Sequence, residues 1–372
     1  MRSRLVATAA LAALLAVPGS VAAQYPSAVP SVAPSGAPSL LASIPPSDAP
    51  SPLPSPVPGT AVDPAATPDP AATPDPATVS AAGLPAGTVR LMAVGDVMLA
   101  RTIGTRIKQN GPGIVFGDVQ KVLDKADLFV INLECAITTS DDQESKHYTF
   151  KAPPVTAEAL TLAGVDVAGQ ANNHVMDWGP SGLLDTLASM KDRGIATPGA
   201  GRNKAEAYAP AILERNGLRV AFLAYVDAFT ESTGFNTKEW KAGAGTPGVA
   251  IATKKRIAAD VAAAKAKADV VVVLIHAGYE YVPTHNAEQA GYARAALDAG
   301  ATLVLGAHPH VLQGYKKVGS KLIAWSLGNF VFDGMDGASV TAILALDLSK
   351  DGVANVKWIP VKLVDGFPTL VH

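Results

Sequence analysis

Two histidines in the C-terminal half of the chain have the type and spacing of metal ligands. His308 and His310 stand in the stretch GAHPH, directly after the apolar run ATLVL. Because alternate residues of an extended segment face the same way, both imidazoles are expected to point to one side. A third histidine, His276, follows the apolar run VVVVLI. Imidazole nitrogens are common ligands of divalent ions, so the three residues predict a metal site.

Carboxylates and amides follow other apolar runs of the sequence. Asp96 follows TVRLMAVG, and Asn132 and Glu134 close the run LFVINLE. Carboxylate and amide oxygens combined with imidazoles suit Mn, Fe or Zn. A bridging Glu134 would link two such ions about 3.5–4 Å apart, a spacing that suits hydrolysis of phosphate esters. Cys135 is the only cysteine, which excludes a structural zinc site of the Cys type and an internal disulfide. Three further polar residues follow the run VDVAGQA: Asn172, Asn173 and His174.

Each of these residues also has a purely structural explanation. Asp96 could cap a turn or a helix, and the pair Asn172-Asn173 could occupy a turn. A lone histidine after a strand is more often a hydrogen-bonded structural residue than a ligand. The joint pattern favours a shared polar site, because metal-type ligands recur at several independent strand ends.

The elements that must position these residues are predicted from periodicity. The apolar runs alternate with helical patterns such as KKRIAADVAAAKAKA and EQAGYARAALDAG, which indicates parallel strands with helical crossovers. Further helices are predicted at DVQKVLDKA, TAEALTLAG and GPSGLLDTLASMKDRG, the last stopping at Gly194. Asn216-Gly217 predicts a hairpin, and the β-rich C-terminal part predicts added antiparallel strands. In open α/β sheets, ligands bind beyond the carboxyl ends of the strands, where the candidate residues fall.

Composition bounds the remaining possibilities. The 372 residues carry a formal net charge of −2, so the chain lacks the positive excess that nucleic acid binding needs.

Residues 1–23 read as a signal peptide cleaved after Ala23, with an uncleaved anchor as the alternative. Residues 24–87 are rich in Pro, Ala and Ser and predict a disordered, extended spacer. Residues 88–372 then form one layered α/β domain. The protein is expected to be exported, either secreted or held at the cell surface or in the periplasm.

Six ordered motifs of this domain resemble a known family. The motifs GDVMLAR, INLECAIT, ANNHVMDWG, HAGYEY, GAHPH and SLGNFVFD are similar to those of the CapA family of poly-γ-glutamate capsule biosynthesis proteins. That family belongs to the calcineurin-like metallophosphatase superfamily. The resemblance implies a four-layer αββα sandwich, in which two mixed sheets are flanked by helices. It also implies one or two divalent ions and an anionic polymer as partner.

The resemblance implies roles for individual residues. Asp96 matches the first aspartate motif, and Glu134 falls where the superfamily has a bridging aspartate. In the Asn-His motif, Asn173 would be a ligand and His174 would lie near the scissile group. The predicted catalytic residues are therefore His174 and Asp96. The remaining ligands would be His276, His308 and His310, with one imidazole of GAHPH for each of two metal positions.

The sequence departs from the superfamily pattern at three positions. Met98 stands where the opening Asp-x-His motif has its histidine, so one metal position loses a ligand. The bridging residue is Glu134 rather than Asp. Ala277 stands where a tryptophan is expected, which alters the local wall of the substrate cleft.

Three functions are compatible with these residues. The leading hypothesis is an exported CapA-like protein that handles poly-γ-glutamate or a similar anionic polymer by metal-assisted hydrolysis or transfer, with His174 protonating the leaving group. The alternatives are a non-catalytic protein that binds polymer or assists a membrane-bound synthase, and an extracellular phosphoesterase. Predicted substrate contacts are Arg101, Asn132, Asn172, Glu280 and Tyr281. The stretch GAGTPG is not read as a dinucleotide site, because it lies in a loop rather than between a strand and a helix.

Overall fold

A computed structural model describes residues 83–231, 234–334 and 340–371 of the chain. The predicted signal peptide and the spacer up to residue 82 lie outside the described residues. The strands, numbered in chain order, are β1 (Thr88–Val97), β2 (Leu128–Leu133), β3 (Ala136–Ile137), β4 (Lys151–Ala152), β5 (Val167–Gly169), β6 (Ala200–Gly201), β7 (Ala211–Arg215), β8 (Leu218–Val226), β9 (Gly248–Val249), β10 (Val270–His276), β11 (Leu303–Ala307), β12 (Leu312–Val318), β13 (Lys321–Leu327), β14 (Asn329–Val331), β15 (Val340–Ser349), β16 (Gly352–Val364) and β17 (Phe367–Leu370).

Within the described residues, helices form at the five segments whose periodicity predicted them, one of them shortened, and also at Arg101–Asn110 and Lys204–Ala207, which were not predicted. They are α1 (Arg101–Asn110), α2 (Gln120–Leu123), α3 (Ala157–Leu162), α4 (Gly179–Asp192), α5 (Lys204–Ala207), α6 (Lys254–Lys265) and α7 (Ala287–Asp298). The predicted helix DVQKVLDKA is only the four-residue α2. The turns around it are closed by 3₁₀-type hydrogen bonds, in which an N–H donates to the carbonyl three residues earlier, such as Lys125 N–H to Val122. The chain turns past the end of α4 at Gly194, whose φ is 70°. Among the described residues, no helix is long and apolar enough to cross a membrane.

Two mixed sheets carry the fold. The first has the order β17-β16-β15-β1-β2-β5, with β14 beside β1, and the second has the order β12-β13-β11-β10-β8-β7. The strands β1, β2 and β5 run parallel, as do β8, β10, β11 and β13. The antiparallel strands β15, β16 and β17 extend the first sheet, as the β-rich C-terminal part predicted.

Alternating side chains of β1 define the layers. Val89, Leu91 and Ala93 belong to a core shared with Phe222 of β8 and Val272 of β10, so this face of the first sheet packs against the second sheet. Successive residues of a strand point to opposite faces. The other face carries Met92 and Val94, which pack with helices α1 and α3. Helices α6 and α7 cover the outer face of the second sheet. The predicted arrangement of two mixed sheets flanked by helices is therefore confirmed.

The hairpin between β7 and β8 also forms where the sequence predicted it. Asn216 and Gly217 have φ values of 49° and 75°, the left-handed pair that a two-residue turn requires. The Asn216 side chain donates hydrogen bonds to the carbonyls of Pro85 and Thr88 at 2.9 and 2.7 Å. The turn therefore fixes the start of β1.

Glycine is required at position 95, where β1 passes close to the chain between β13 and β14. A Cβ added to Gly95 would overlap the carbonyl oxygen of Gly328. That oxygen accepts a hydrogen bond from the Asp96 N–H at 2.9 Å. The close approach therefore sets the position of Asp96.

We expect Gly95→Ala to lower the free energy of unfolding by about 3 kcal/mol, because a backbone carbonyl must move to admit the methyl group. Gly245→Ala is the matched control, since a Cβ there meets nothing within 4 Å. Chemical denaturation of both variants measures the difference. Equal midpoints for the two variants would contradict the proposed close approach.

Candidate metal and catalytic site

Three of the predicted ligands meet at the carboxyl ends of the central strands. Asp96 is the penultimate residue of β1, Glu134 follows β2 and His276 ends β10. All three are buried, and one ligand atom of each lies within 4.8 Å of the other two. The first sheet supplies both carboxylates and the second sheet supplies the imidazole, so the site forms where the two sheets adjoin.

Asn132 connects this group through hydrogen bonds. Its side-chain N–H donates to Asp96 Oδ1 at 2.8 Å and lies 3.3 Å from His276 Nδ1. Asn172 in turn donates to Asn132 Oδ1 at 3.2 Å and to the carbonyl of Leu133 at 2.9 Å. Both amides thus support the ligands from within the protein. Direct substrate contact by Asn132 or Asn172 stays a prediction.

Asn173 lies against His276. Its Oδ1 is 2.9 Å from His276 Nε2, and its amide N–H donates to Glu231 Oε1 at 3.1 Å. Because Asn132 donates to His276 Nδ1, the Nε2 atom that faces Asn173 Oδ1 is the one that could offer its lone pair to a cation in place of a proton. The amide oxygen of Asn173 is therefore directed into the cluster, as a ligand would be.

His174 is held by a carboxylate behind it. Its Nδ1 lies 2.6 Å from Asp177 Oδ2, and its Nε2 lies 3.9 Å from Glu134 Oε1. Burial lowers the pKa of His174 well below its usual value, and the positive charge of Lys146 lowers it further. The ring is therefore neutral, with its proton on Nδ1 towards Asp177 and the Nε2 lone pair towards Glu134.

Lys146 is a buried cation that the sequence did not single out. Its ammonium lies 2.7 Å from Asp177 Oδ1 and 3.2 Å from Glu231 Oε1, and it donates to the carbonyl of Asn173. The side chains of Lys146 and Asp177 are both 0% exposed. Burial raises the pKa of Asp177 to about 7, against the charge and hydrogen bond of Lys146, which lower it. Lys146 therefore favours the ionised form of the carboxylate that orients His174.

The stretch GAHPH is not extended, and this expectation was wrong. Strand β11 ends at Ala307, and His308 and His310 have φ values of 96° and 59°. Both lie in the left-handed region, which is uncommon for residues other than glycine. Both imidazoles are nevertheless buried at the site. They are brought there by a tight turn around Pro309 rather than by strand alternation.

The two imidazoles contact different groups of the site. His310 Nδ1 lies 2.8 Å from Asn329 Oδ1 and 3.4 Å from Asp96 Oδ2, and its Nε2 is 3.9 Å from Glu134 Oε1. His308 donates its backbone N–H to Asp96 Oδ2 at 3.3 Å. Within the described ranges, buried His308 Nδ1 has no hydrogen-bond partner.

Three phenylalanines pack against the imidazoles and fix their planes. Phe150 stacks on His174 with ring centroids 4.0 Å apart, Phe229 stacks on His308 at 4.7 Å, and Phe332 meets His310 edge-on at 5.1 Å. These contacts restrict ring rotation and keep water from the imidazole faces. The phenylalanines lie in loops or just beyond strand ends, so hydrophobic periodicity did not single them out.

The remaining predicted contacts lie at the rim. Arg101 pairs with Asp333 at 3.2 Å, and its guanidinium lies over the ring of Phe150 at 5.7 Å. Phe150 therefore lies between Arg101 and His174, on which it stacks. The exposed Tyr281 has its ring centroid 6.1 Å from that of His310. A carboxylate oxygen of the exposed Glu280 lies within 4.8 Å of ring nitrogens of His308 and His310.

The chemistry of the donor set fits a divalent cation. Burial raises the pKa of Glu134 well above its usual value, and the neighbouring charge of Asp96 raises it further. Burial also raises the pKa of Asp96, but the hydrogen bond and charge of His310 outweigh this effect and bring it down to about 2. Glu134 Oε1 has no hydrogen-bond partner among the described residues. Burial lowers the pKa of His276 and brings that of His308 to about 3, so both rings are neutral, as metal ligands must be.

Two sheets with carboxylates and imidazoles at their strand ends define an α/β protein with a candidate metal site. The family can be stated as well, because residues 90–334 match the model described as bacterial capsule synthesis protein PGA_cap. The chain belongs to this family. It is 33% identical to the capsule biosynthesis protein CapA of Bacillus anthracis over 281 residues, which cover 74% of this chain and 67% of the relative. It is 31% identical to the PGA biosynthesis protein CapA of Bacillus subtilis strain 168, over 75% of this chain and 72% of the relative.

Solved structures resemble the chain only distantly. A Staphylococcus aureus protein provisionally named a 5′-nucleotidase, in complex with α-ketoglutarate, aligns over 77% of this chain and 55% of its own. The TM-score is 0.42 and the sequence identity is 13%. This similarity is too weak to bear on function.

We expect Lys146→Met to destabilise the protein by about 3–5 kcal/mol, because it leaves the buried Asp177 and the partly buried Glu231 without their cation. Lys151→Met is the matched control. Lys151 pairs with Asp141, whose side chain is 96% exposed, so its loss should cost about 1 kcal/mol or less. Urea denaturation curves compare the two variants. A midpoint for Lys146→Met as high as that for Lys151→Met would contradict the structural role of the buried cation.

Proposed function

We propose that this protein acts in the biosynthesis or processing of poly-γ-glutamate or a similar anionic capsule polymer, by metal-dependent hydrolysis or transfer. The observation that carries the proposal is the convergence of Asp96, Glu134 and His276, in which buried Glu134 Oε1 has no hydrogen-bond partner among the residues that the structure describes. The names of the two Bacillus relatives support the polymer. Export through residues 1–23 is part of the same proposal.

The protein's own groups would hold the ion and move a proton. Asp96, Glu134, Asn173 and His276 are the ligands that we assign to the inner cation position. A divalent ion held there would supply Lewis-acid stabilisation of developing negative charge. The burial of these ligands keeps water from weakening their interactions with a bound substrate.

His174 is assigned the proton transfer. Its low pKa leaves Nε2 without a proton in the resting protein, so this atom would first accept a proton from the attacking nucleophile. The protonated ring would then give the proton to the leaving group. Asp177 holds the ring orientation throughout, because its hydrogen bond to Nδ1 is available in both protonation states.

An accessory role in polymer binding or in assisting a membrane-bound synthase is the second candidate. The observation that favours it is Met98, which replaces the histidine of the opening motif. Met98 is 0% exposed, and its sulfur accepts the Ala100 N–H at 3.1 Å within the core. A thioether is a poor ligand for hard divalent ions, so the stretch from Asp96 to Met98 contributes only Asp96 to the site.

The test is the metal content and turnover of the full chain beside the variant His276→Ala. We expect near-stoichiometric metal in the wild type and a loss of at least about tenfold in metal affinity in the variant, because a ligand is removed. Turnover is measured on poly-γ-glutamate and on a panel of phosphoesters, before and after chelation. His285→Ala is the control, since exposed His285 stacks on Trp325 and has no place in the cluster.

The outcomes separate the candidates. Turnover that disappears on chelation and returns with added metal supports the enzymatic proposal, and the substrate panel distinguishes the polymer from phosphoesters. Full turnover by the metal-free chain contradicts metal dependence. Bound metal without turnover on any substrate favours the accessory role.

A further inference from the structure

We propose that Glu280 completes a second, outer cation position together with His308 and His310. This position would compensate for the histidine that the sequence lacks at Met98. The inference rests on the metal-dependent site proposed above. It assigns the exposed carboxylate of Glu280 to metal binding rather than to the substrate contact that the sequence predicted.

The ligand atoms of these three residues already lie together. One carboxylate oxygen of Glu280 and one ring nitrogen each of His308 and His310 lie within 4.8 Å of one another. Two imidazoles and a carboxylate are a ligand set typical of divalent transition metals. The grouping differs from the expected one, in which each imidazole of GAHPH would serve a separate metal.

An independent observation concerns a ring nitrogen of His308 itself. His308 Nδ1 is fully buried, and the described part of the chain offers it no hydrogen-bond partner. A buried polar atom without a partner costs free energy, so such atoms call for an explanation. A cation bound by the ring supplies one, since a coordinated histidine needs a lone pair rather than a proton.

The backbone on both sides of Glu280 packs against the turn His308–Pro309–His310, called the histidine turn below. The Tyr281 N–H donates to the carbonyl of Pro309 at 2.9 Å. On the other side, a Cβ added to Gly278 would lie 2.9 Å from Pro309 Cγ and 2.8 Å from Gln289 Oε1, so the loop packs closely there. Gln289 Oε1 in turn accepts a hydrogen bond from the Asn286 backbone N–H at 2.9 Å. Glu280 therefore stands on a rigid loop that faces His308 and His310.

His310 would lie between the two cation positions. Glu134 Oε1 lies 3.9 Å from His310 Nε2, and Asp96 Oδ2 lies 3.4 Å from His310 Nδ1. The inner position is enclosed by buried ligands, whereas one ligand of the outer position, Glu280, is exposed to solvent. We therefore expect the inner ion to be held tightly and the outer ion to exchange with solvent.

The test is the number of Mn²⁺ or Zn²⁺ ions bound by the full chain, measured by equilibrium dialysis and titration calorimetry. We expect two equivalents in the wild type. In Glu280→Gln, the first equivalent should stay and the second should weaken by at least about tenfold. With Mn²⁺, the electron paramagnetic resonance signal of a coupled ion pair should be present in the wild type and absent from this variant.

Two further variants separate coordination from charge. Glu280→His removes the negative charge but keeps a ligand atom, so it should retain more of the second equivalent than Glu280→Gln does. Glu288→Gln is the control for charge alone, because Glu288 lies on the neighbouring helix α7 and pairs with Lys254 at 3.5 Å. Its metal stoichiometry should equal that of the wild type.

Each outcome decides the matter. Two equivalents bound by Glu280→Gln with unchanged affinities would overturn the outer position and leave the inner one intact. A single equivalent in the wild type that is unaffected by Glu280→Gln would do the same. No metal bound by the wild type would overturn both this inference and the metal-dependent function, which is a distinguishable result.

Discussion

The burial of two carboxylates side by side is the constraint on which the site depends. Asp96 and Glu134 are both 0% exposed, and each stands at the end of a strand of the same sheet. Two like charges removed from water repel each other and lose their hydration, so they persist only with compensation. The compensation comes from donors around them. Asn132 and the backbone N–H of His308 donate to Asp96, and the Asn132 amide N–H also lies 3.4 Å from Glu134 Oε2.

This constraint explains why both sheets are needed. The carboxylates belong to the first sheet, whereas His276 and the histidine turn follow strands of the second. The hydrogen bond from His308 to Asp96 therefore joins residues that are 212 positions apart in sequence. The core between the sheets sets their separation, and the polar groups at its edge meet only if that packing is correct. Stability and the geometry of the site are thus tied to the same packing.

The fold and the convergence of Asp96, Glu134 and His276 could be predicted because they follow from strong local patterns. Buried parallel strands appear as continuous apolar runs, and polar residues at their ends must lie at one edge. The hairpin at Asn216-Gly217 follows from the backbone preferences of these two residues. Lys146, Asp177 and Glu231 could not be found this way, because they stand outside the strands and meet only through the tertiary fold. The histidine turn was misjudged because the alternation rule holds only within a strand, and β11 ends one residue before His308.

The left-handed backbone of His308 and His310 limits how the site can change over evolutionary time. A φ of 59° or 96° is uncommon for residues other than glycine, and asparagine, aspartate and histidine adopt positive φ more readily than other side chains. Only a few ligand types can therefore replace these histidines without a further backbone penalty, and β-branched residues are excluded by their side chains. Asparagine and aspartate both tolerate this conformation and both offer oxygen atoms. Replacement of an imidazole by an oxygen ligand of this kind therefore adds the least backbone strain. It would shift the metal preference of the site from softer to harder ions.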